Sequence, residues 1–391
     1  MNTKLLHPEV QQYIDEHLQT DLSKLIFKGS PFKEVSIQEI ATQIAAKKKA
    51  KSKLPSWFAT QGIYYPPKLN LEQTSSEITA NYKAKLVSGK SLIDLTGGFG
   101  VDSWAFSKNT TQVTHCEINE ELSKIASHNF NQLACDNCNF VLGDGLEYLK
   151  NTTTTFDWIY IDPSRRVAHK GKVFLMADCL PNVPDHLDFL FKKAKNILIK
   201  SSPILDLTSS INELKFVKEI HIIAVENEVK ELLFLLAKDH TGSIQIKTVN
   251  HSKEQLELFE FSLDETADSQ YALPKAYLYE PNAAILKSGG FHQISQQLKL
   301  EKLQQHSHLY TADQLIAFPG RTFVVEDVLP YDKKALKKAI PNSKANITTR
   351  NFPETVAQIR KKTKLKDGGD HYLFFTTNLN KQLQVIICKK L

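Results

Sequence analysis

The stretch Ser91–Gly100 reads SLIDLTGGFG, an apolar run that ends in a glycine-rich turn. Proteins of the α/β class use a strand followed by such a turn to bring bare backbone close to a nucleotide, and several unrelated cofactors bind in this way. Gly97 and Gly98 let the backbone bend without a Cβ clash, and Gly100 lets the following helix pack closely. The stretch therefore predicts a nucleotide site without identifying the nucleotide.

Strand and helix signals alternate after this turn. Strand-like runs at QVTHCEI, NFVLGD, FDWIYIDP and NILIKSSP are separated by helical segments, which predicts parallel strands joined by right-handed crossovers. In HIIAVENEVKELLFLLAKD, two apolar runs flank residues 226–229 with no room for a helix, so the last strand is predicted to turn back as an antiparallel hairpin. Dinucleotide-binding dehydrogenases end their sheets with parallel strands, whereas class I methyltransferases end theirs with an antiparallel hairpin. The predicted hairpin therefore favours a class I methyltransferase sheet.

Acidic residues stand at three of the predicted strand ends. Glu117 lies 20 residues after Gly97, where an acid receives the ribose hydroxyls of an adenosine. Asp144 either takes the adenine amino group or caps the helix that follows it. Asp162 and Pro163 end the fourth strand, next to the position of a methyl donor's sulfonium. We expect these carboxylates to surround one crevice above the sheet.

Residues 90–240 resemble the class I S-adenosylmethionine-dependent methyltransferases, with DLTGGFG as first motif, Glu117 as second-strand acid, Asp144 as adenine-side acid and DPSRR as fourth motif. The whole chain resembles the bacterial members that carry a C-terminal THUMP-like domain after a small ferredoxin-like segment, with EPNAAILKSG and FPGRTFVV at matching places. The resemblance implies S-adenosylmethionine as cofactor and RNA, either tRNA or rRNA, as partner. The cofactor-binding residues predicted on this basis are Asp94, Thr96, Gly97, Gly98, Gly100, Glu117, Ile118, Asp144, Gly145 and Asp162.

The sequence departs from the family pattern at two places. Thr96 stands where the first motif often has glycine, and Ser164 and Arg165 replace the second proline and the aromatic residue of the Asn/Asp-Pro-Pro-aromatic motif. That aromatic ring stacks on the base in enzymes that methylate exocyclic amines, and an arginine plane can also lie flat on a base. We predict Asp162, Pro163 and Arg165 as catalytic residues, with Asp162 orienting or deprotonating the acceptor. No cysteine stands beside DPSRR or KSSP in the sequence, which disfavours a covalent route through a thiolate.

Positive charge is concentrated near the C-terminus. Residues 331–367 hold nine lysines and two arginines against three acidic residues, a net charge of +8, whereas the whole chain carries +6. A second run, AAKKKAKSK, covers residues 45–53. Such clusters either bind phosphates or form solvated helix faces. The predicted RNA-binding residues are Arg166, Lys333, Lys334, Lys337, Lys338, Arg360, Lys361 and Lys362.

The composition of the chain argues against a membrane, secreted or metal-binding protein. No stretch reaches 18 consecutive apolar residues and the first residues lack the core of a signal peptide, so we expect a cytoplasmic protein without a membrane partner. The five cysteines do not resemble a disulfide framework. Cys135 and Cys138 form a CDNC pair, but no second Cys/His pair follows at zinc-finger spacing, and we predict no metal site.

The chain is long enough for several domains. We predict a helical domain over residues 1–80, a Rossmann-like α/β methyltransferase domain over 81–240, a connecting, partly ferredoxin-like segment over 241–317, and a basic α+β, THUMP-like domain over 318–391. An RNA methyltransferase is the leading hypothesis. A non-catalytic RNA-binding or assembly factor with a methyltransferase fold and, with less support, an NAD-dependent oxidoreductase are the alternatives; the oligomeric state stays open.

Overall fold

The structure, a computed structural model of the 391-residue chain, describes residues 1–165 and 175–391. The chain divides into two compact units. The first unit comprises residues 1–217 and 234–240, and the second comprises residues 218–233 and 241–391. The predicted helical segment and the parallel strands that follow it therefore lie in the same unit. None of the helices in the described ranges is long and apolar enough to span a bilayer.

The first unit begins with helices alone, as the sequence predicts. The third of them starts at a capping box, in which the Ser36 hydroxyl accepts the Glu39 N–H and the Glu39 carboxylate accepts the Ser36 N–H. It buries Ile37, Ile40 and Ile44, the residues whose helical spacing predicts this element. The helices are α1 (Pro8–Glu16), α2 (Leu22–Lys28), α3 (Ile37–Lys53), α4 (Pro55–Ala59), α5 (Lys68–Gln73) and α6 (Glu77–Leu86).

A parallel sheet follows these helices in the first unit. Its strands and the two short strands beside it are β1 (Gly89–Asp94), β2 (Thr110–Glu117), β3 (Cys138–Leu142), β4 (Phe156–Ile161), β5 (Ser164–Arg165), β6 (Cys179–Leu180) and β7 (Ala194–Ser201). The helices between them are α7 (Val101–Ser107), α8 (Glu120–Gln132), α9 (Gly145–Asn151), α10 (Val183–Lys193) and α11 (Leu207–Glu213).

The order of the parallel strands locates the crevice. The strands lie in the order β7-β4-β1-β2-β3, and each neighbouring pair is parallel. From β1 the chain moves outward to β2 and β3 and then returns to the other side at β4. In open α/β sheets a ligand crevice forms at this reversal, outside the carboxyl ends of the strands. The carboxyl ends of β1 and β4 are therefore the place to look for a site.

The predicted hairpin follows β7 along the chain, and its residues 218–233 belong to the second unit. Strands β8 (Val217–Val225) and β9 (Glu228–Ala237) are neighbours in the sheet order, and only Glu226 and Asn227 separate them. Both turn residues have positive φ, 51° and 61°, as a type I′ hairpin turn requires. The antiparallel hairpin predicted from the sequence is confirmed.

Two further strands of the second unit follow β9 along the chain. The stretches SIQIKTVN and LELFEFSL predict a small strand pair, and β10 (Gln245–His251) and β11 (Leu256–Ser262) pair antiparallel. The pairing goes further than this prediction, because β10 also pairs parallel with β8, from Gln245 opposite Glu219 to His251 opposite Val225. The backbone groups along this side of β8 thereby gain partners that an exposed strand edge would lack.

The C-terminal part of the second unit forms a second sheet with helices. Its strands are β12 (Tyr277–Pro281), β13 (Glu301–Lys302), β14 (Tyr310–Ala312), β15 (Gly320–Pro330), β16 (Asn346–Arg350), β17 (His371–Thr377) and β18 (Leu383–Lys390). Its helices are α12 (Ala283–Ser288), α13 (Phe291–Gln297), α14 (Lys333–Ala339) and α15 (Val356–Thr363). The sheet order is β13-β14-β12-β15-β18-β17-β16.

Both faces of this second sheet are buried. Leu336 of α14 and Ile359 of α15 pack with Leu373 and Phe375 of β17 on one face. The intervening residue, Phe374, packs in a separate cluster on the opposite face, as the alternation along a strand requires. From residue 318 the sequence predicts the order strand, helix, strand, helix, strand, strand, which the elements from β15 to β18 confirm. The lysines of both helices are exposed.

Candidate active site

The glycine-rich turn joins β1 to α7 in the first unit. Gly97 donates its N–H to the carbonyl oxygen of Cys116 over 2.8 Å and lies against the His115 ring: a Cβ on Gly97 would sit 2.1 Å from the His115 Cε1 atom. Gly98 is different, because its backbone is left-handed, with φ of 57°, and a Cβ there would meet no atom nearer than 3.9 Å. The packing of the protein itself requires a glycine at 97, whereas the space beside Gly98 is open.

Alanine substitutions at Gly97 and Gly98 test this difference between the two glycines. We expect Gly97→Ala to lower the free energy of unfolding by about 1–3 kcal/mol, because the added methyl group overpacks against a buried ring. Gly98→Ala should lower it by only about 1 kcal/mol, the strain of a left-handed backbone. Chemical denaturation of both variants measures the difference. Equal losses would mean that the His115 ring can move aside.

Glu117, at the end of β2, lies beside this turn. Its Oε2 atom accepts the Gly98 N–H over 2.7 Å, and its Oε1 atom accepts the Asn119 N–H over 2.7 Å. The carboxylate is therefore held at the open side of the turn, where the sequence places an adenosine-binding acid. The next side chain, Ile118, is 73% exposed and offers an apolar surface at the same strand end.

Asp144 and Gly145 begin α9 at the end of the third strand. The Asp144 Oδ1 atom accepts the N–H groups of Leu146, at 2.7 Å, and Glu147, at 3.2 Å, so the residue caps the helix. Gly145 packs on the glycine turn, since a Cβ there would lie 2.7 Å from the Leu95 Cα atom. Asp144 is exposed, and its Oδ2 atom takes no hydrogen bond within residues 1–165 and 175–391. Capping and ligand binding are thus compatible at this residue.

Asp94 lies beneath the turn. Its Oδ1 atom accepts the Thr96 N–H over 3.0 Å, and its Oδ2 atom accepts the Ser103 hydroxyl over 2.6 Å. Burial raises the pKa of Asp94 to about 7, and these two hydrogen bonds act in the opposite direction. The Ser103 oxygen also lies 3.0 Å from Nδ1 of His115, whose pKa burial lowers to about 4. We therefore expect Asp94 to act on a cofactor by shaping the turn and not through direct contact.

Asp162 follows β4 and is tied to the end of β1. Its backbone N–H donates to the Thr96 hydroxyl over 2.7 Å, a bond that a glycine at position 96 could not make. Its carboxylate forms an ion pair with the ammonium of Lys200, the penultimate residue of β7. The Asp162 side chain is 34% exposed and the Lys200 side chain is 13% exposed. The carboxyl ends of β1, β4 and β7 thus meet at Asp162.

Lys200 is a site residue that the sequence reasoning missed. It stands in NILIKSSP, where a lysine interrupts the apolar run of a buried parallel strand. Ile161 is opposite Ile199 in the register of β4 and β7, so the next residues along, Asp162 and Lys200, are neighbours. A charge at the carboxyl end of a strand beside a strand-end acid was the signal that could have identified it.

A second, fully buried lysine lies near the same strand ends and was also missed. Lys83 of α6 is 0% exposed, and its ammonium lies 3.2 Å from the Asp102 Oδ1 atom and donates to the Ser75 hydroxyl over 3.1 Å. The Tyr160 hydroxyl donates to Asp102 Oδ2 over 2.8 Å. Burial acts to raise the pKa of Asp102, but the Lys83 and Lys200 ammonium groups, together with hydrogen bonds from Ser75 and Tyr160, hold the pKa below its ordinary value.

The remaining predicted catalytic residues are only partly described. Pro163 is buried, Arg165 is described by its place in β5 alone, and Arg166 lies outside the described residues. No cysteine stands beside DPSRR in the sequence, but β5 pairs with β6 and places Cys179 opposite Arg165. Long-range strand pairing brings it there, which adjacency in the sequence cannot show. Cys179 is buried.

The CDNC pair has an ordinary structural setting. The Cys135 thiol donates to the Ser107 hydroxyl over 3.2 Å, and Cys138 opens β3. Burial raises the pKa of both thiols. In the described ranges, no group of three or more His, Cys, Asp or Glu side chains is placed to hold a metal ion.

The lysines of α14 form an exposed basic face in the second unit. None of Lys333, Lys334, Lys337 and Lys338 has an ion-pair partner in the part of the chain that the structure describes. We call these four residues the α14 lysine face. On α15, Lys361 is exposed and Lys362 pairs with Glu354 over 2.9 Å.

Arg360 and the N-terminal lysine run serve the fold. The Arg360 guanidinium pairs with Asp367 and donates to two backbone carbonyl oxygens. Lys47 pairs with Asp15 of α1. Lys49 and Lys53 contact α5, through the Glu72 carboxylate and backbone carbonyl oxygens respectively. These groups hold helices and loops together, so their charge is already partly neutralised.

Comparisons with known proteins agree with this architecture. A family model described as THUMP domain-like matches residues 320–390, and one described as a ferredoxin-like domain matches residues 277–319. An uncharacterized RNA methyltransferase from Mycoplasma mobile is 28% identical over 152 residues, which is 37% of this chain. The match spans only 41% of the length of that curated relative.

Solved structures extend the similarity to the full chain. TrmK of M. capricolum, solved with S-adenosyl-homocysteine, matches 45% of this chain and 70% of its own at 17% identity and a TM-score of 0.31. A protein from Porphyromonas gingivalis W83 whose name assigns it as a methyltransferase is 31% identical, with a TM-score of 0.89. The match covers 99% of this chain and 98% of that one. The protein therefore belongs to the bacterial class I methyltransferase family that carries a ferredoxin-like segment and a C-terminal THUMP-like domain.

Proposed function

We propose that the protein is a cytoplasmic S-adenosylmethionine-dependent methyltransferase that acts on structured RNA, tRNA or rRNA. The observation that carries the proposal is the Glu117 carboxylate, which backbone N–H groups hold beside the open space at Gly98. This arrangement lies at the reversal of strand order, where an α/β sheet binds its ligand.

The residues at the turn fit the adenosine half of the methyl donor. Each Glu117 oxygen keeps a lone pair for a ribose hydroxyl, since a carboxylate offers about four acceptor sites and two are used here. Ile118 supplies an apolar surface for the adenine ring, and Asp144 Oδ2 is available to its amino group. Bound there, S-adenosylmethionine would supply an electrophilic methyl group.

Asp162 is the residue we assign to the acceptor. It lies at the end of β4, is partly exposed and carries a carboxylate that can orient or deprotonate a nucleophile. Methyl transfer needs the acceptor atom held about 3–3.5 Å from the methyl carbon, and no covalent nucleophile is required. Cys179 is buried, so we assign no covalent role to it and keep Asp162 as the residue that orients or deprotonates the acceptor.

The methyl donor and its transfer can be tested separately. Calorimetry should detect S-adenosylhomocysteine binding and no NAD binding, whereas NAD binding alone would favour an oxidoreductase. Tritium from S-adenosylmethionine should then enter total RNA from cells that lack the protein. Binding of both ligand and RNA without transfer would favour the non-catalytic factor, a reading that Ser164 at the place of the motif's second proline supports.

We propose that the α14 lysine face docks the RNA through its phosphates. Changing Lys333, Lys334, Lys337 and Lys338 to glutamine should weaken RNA binding and reduce the slope of log affinity against log salt by about 2 to 4. Each lost phosphate contact lowers the number of counterions that are released on binding. Filter binding at several salt concentrations measures the slope.

A matched variant controls for net charge in this experiment. Lys24, Lys28, Lys48 and Lys51 are exposed lysines of the first unit, and their change to glutamine removes the same four charges elsewhere. We expect a smaller change of slope in that variant. Equal slopes in the two variants would exclude α14 as the docking surface.

A further inference from the structure

The acceptor end of the site contains a cation as well as a carboxylate. Lys200 neutralises the Asp162 carboxylate through a direct ion pair, and only 13% of the Lys200 side chain is exposed. Register fixes the pair, because Ile161 and Ile199 are opposite each other in neighbouring parallel strands. The position of the Asp162–Lys200 ion pair is therefore fixed by the pairing of β4 with β7.

The Lys200 charge also reaches a second carboxylate. Its ammonium also acts on Asp102, which lies beneath the strand ends and is paired with the buried Lys83. Two ammonium groups thus accompany the Asp102 and Asp162 carboxylates. A nucleophile placed at Asp162 would meet a positive charge at short range.

A fixed positive charge discriminates between acceptor atoms. When an amine attacks a sulfonium methyl group, the nitrogen gains positive charge in the transition state, and a nearby ammonium raises the barrier. When a hydroxyl attacks, it loses its proton and the oxygen gains negative character, which a nearby ammonium stabilises. An aspartate paired with a lysine therefore suits an oxygen nucleophile.

The fourth motif agrees with this electrostatic argument. Amine methylation on a base is served by an aromatic ring that stacks on that base, and this sequence has Ser164 and Arg165 at the corresponding places. A ribose hydroxyl needs no such stacking platform. The missing ring and the added cation are independent observations that point to the same acceptor.

We propose that the methylated atom is a ribose 2′-oxygen of RNA, and that Lys200 stabilises the charge that develops on it. The inference rests on the proposed function. Asp162 accepts the hydroxyl proton while the oxygen forms its bond to the methyl carbon. The carbon–sulfur bond breaks, its electron pair stays on sulfur, and the proton later passes from Asp162 to water.

The position of the methyl group tests the chemistry. RNA labelled with tritium by the full-length protein should be digested with alkali, because a 2′-O-methyl group blocks cleavage of the adjacent phosphodiester. Label in alkali-resistant dinucleotides is the expected result. Label in mononucleotides, carried on the base, would overturn the inference and leave the proposed function intact. Absence of label in any RNA would overturn both.

Ligand binding provides a second test that needs no turnover. S-adenosylmethionine carries a positive sulfonium and S-adenosylhomocysteine a neutral sulfur, so the ratio of their affinities reports the charge beside the sulfur. Lys200→Met leaves Asp162 uncompensated and should raise the ratio in favour of S-adenosylmethionine about 3- to 10-fold, whereas Asp162→Asn should lower it to a similar extent.

Two further variants complete the comparison. Lys200→Arg keeps the charge and should retain both the wild-type ratio and most of the methyl transfer, and Lys124→Met removes an exposed lysine on α8 and should change neither. Lys200→Met should slow transfer while still binding S-adenosylhomocysteine, which shows that it is folded. A ratio that is unchanged in Lys200→Met and Asp162→Asn would overturn the inference, because the pair would then lie away from the methyl group.

Discussion

Replacing Asp162 with asparagine is expected to slow methyl transfer by about 10²–10⁴-fold, the range in which a positioned proton acceptor contributes to catalysis. Asparagine is nearly isosteric, and the bond from the residue 162 N–H to the Thr96 hydroxyl involves only backbone at that position. The glycine turn should therefore keep its shape. We expect the affinity for S-adenosylhomocysteine, which has no charge at sulfur, to remain within about twofold.

Single-turnover transfer of tritium to RNA measures this effect directly. Asp157→Asn is the matched control, since Asp157 lies on the same strand at its other end, where its carboxylate accepts the N–H groups of Lys90 and Ser91. That variant should transfer methyl groups at close to the wild-type rate. A rate for Asp162→Asn similar to that of the control would remove Asp162 from the acceptor site.

The local elements were predictable because their signals lie in short stretches. Continuous apolar runs mark β1 and β4, and the two residues between β8 and β9 leave no room for a crossover helix. The position of Glu117 beside the turn was predictable for the same reason, since it follows from a strand end after a glycine turn. Such features need only one strand and its neighbour along the chain.

The pairings between distant segments were not predictable in this way. β10 pairs with β8 as well as with β11, and the alternation of apolar and polar residues along a strand does not reveal which strand lies on its second side. Asp162 and Lys200 are 38 residues apart and meet only because β4 and β7 are neighbours in the sheet. Lysines in a sequence are more often solvated, which hid Lys200 and Lys83.

Charge runs were ambiguous for a related reason. The run near residue 50 and the cluster near residue 335 look alike in composition, yet Lys47, Lys49 and Lys53 hold helices together while the α14 lysine face is exposed without ion-pair partners in the described ranges. Burial and pairing decide which lysines can meet phosphates. These properties depend on tertiary structure.

Replacing Lys83 with methionine should lower the free energy of unfolding by about 3–5 kcal/mol, because it removes one partner of a buried ion pair and leaves the Asp102 carboxylate without its directly paired ammonium. Urea denaturation at neutral pH measures the loss. Lys124→Met, which breaks an exposed pair with Glu120, is the control and should cost at most about 1 kcal/mol.

The dependence on pH and a double variant identify the cause. The pKa of Asp102 is lowered in the folded protein, so its stabilising contribution is present above its unfolded value of 3.8 and is lost as the pH falls through the folded value. The difference between Lys83→Met and the wild type should therefore be large at pH 7 and shrink below about pH 4. Adding Asp102→Asn to Lys83→Met should recover most of the loss, since the amide oxygen still accepts the Ser75 and Tyr160 hydroxyls without a buried charge. A loss that the second substitution does not relieve would point to packing of the Lys83 side chain, and not to its charge, as the source of the stability.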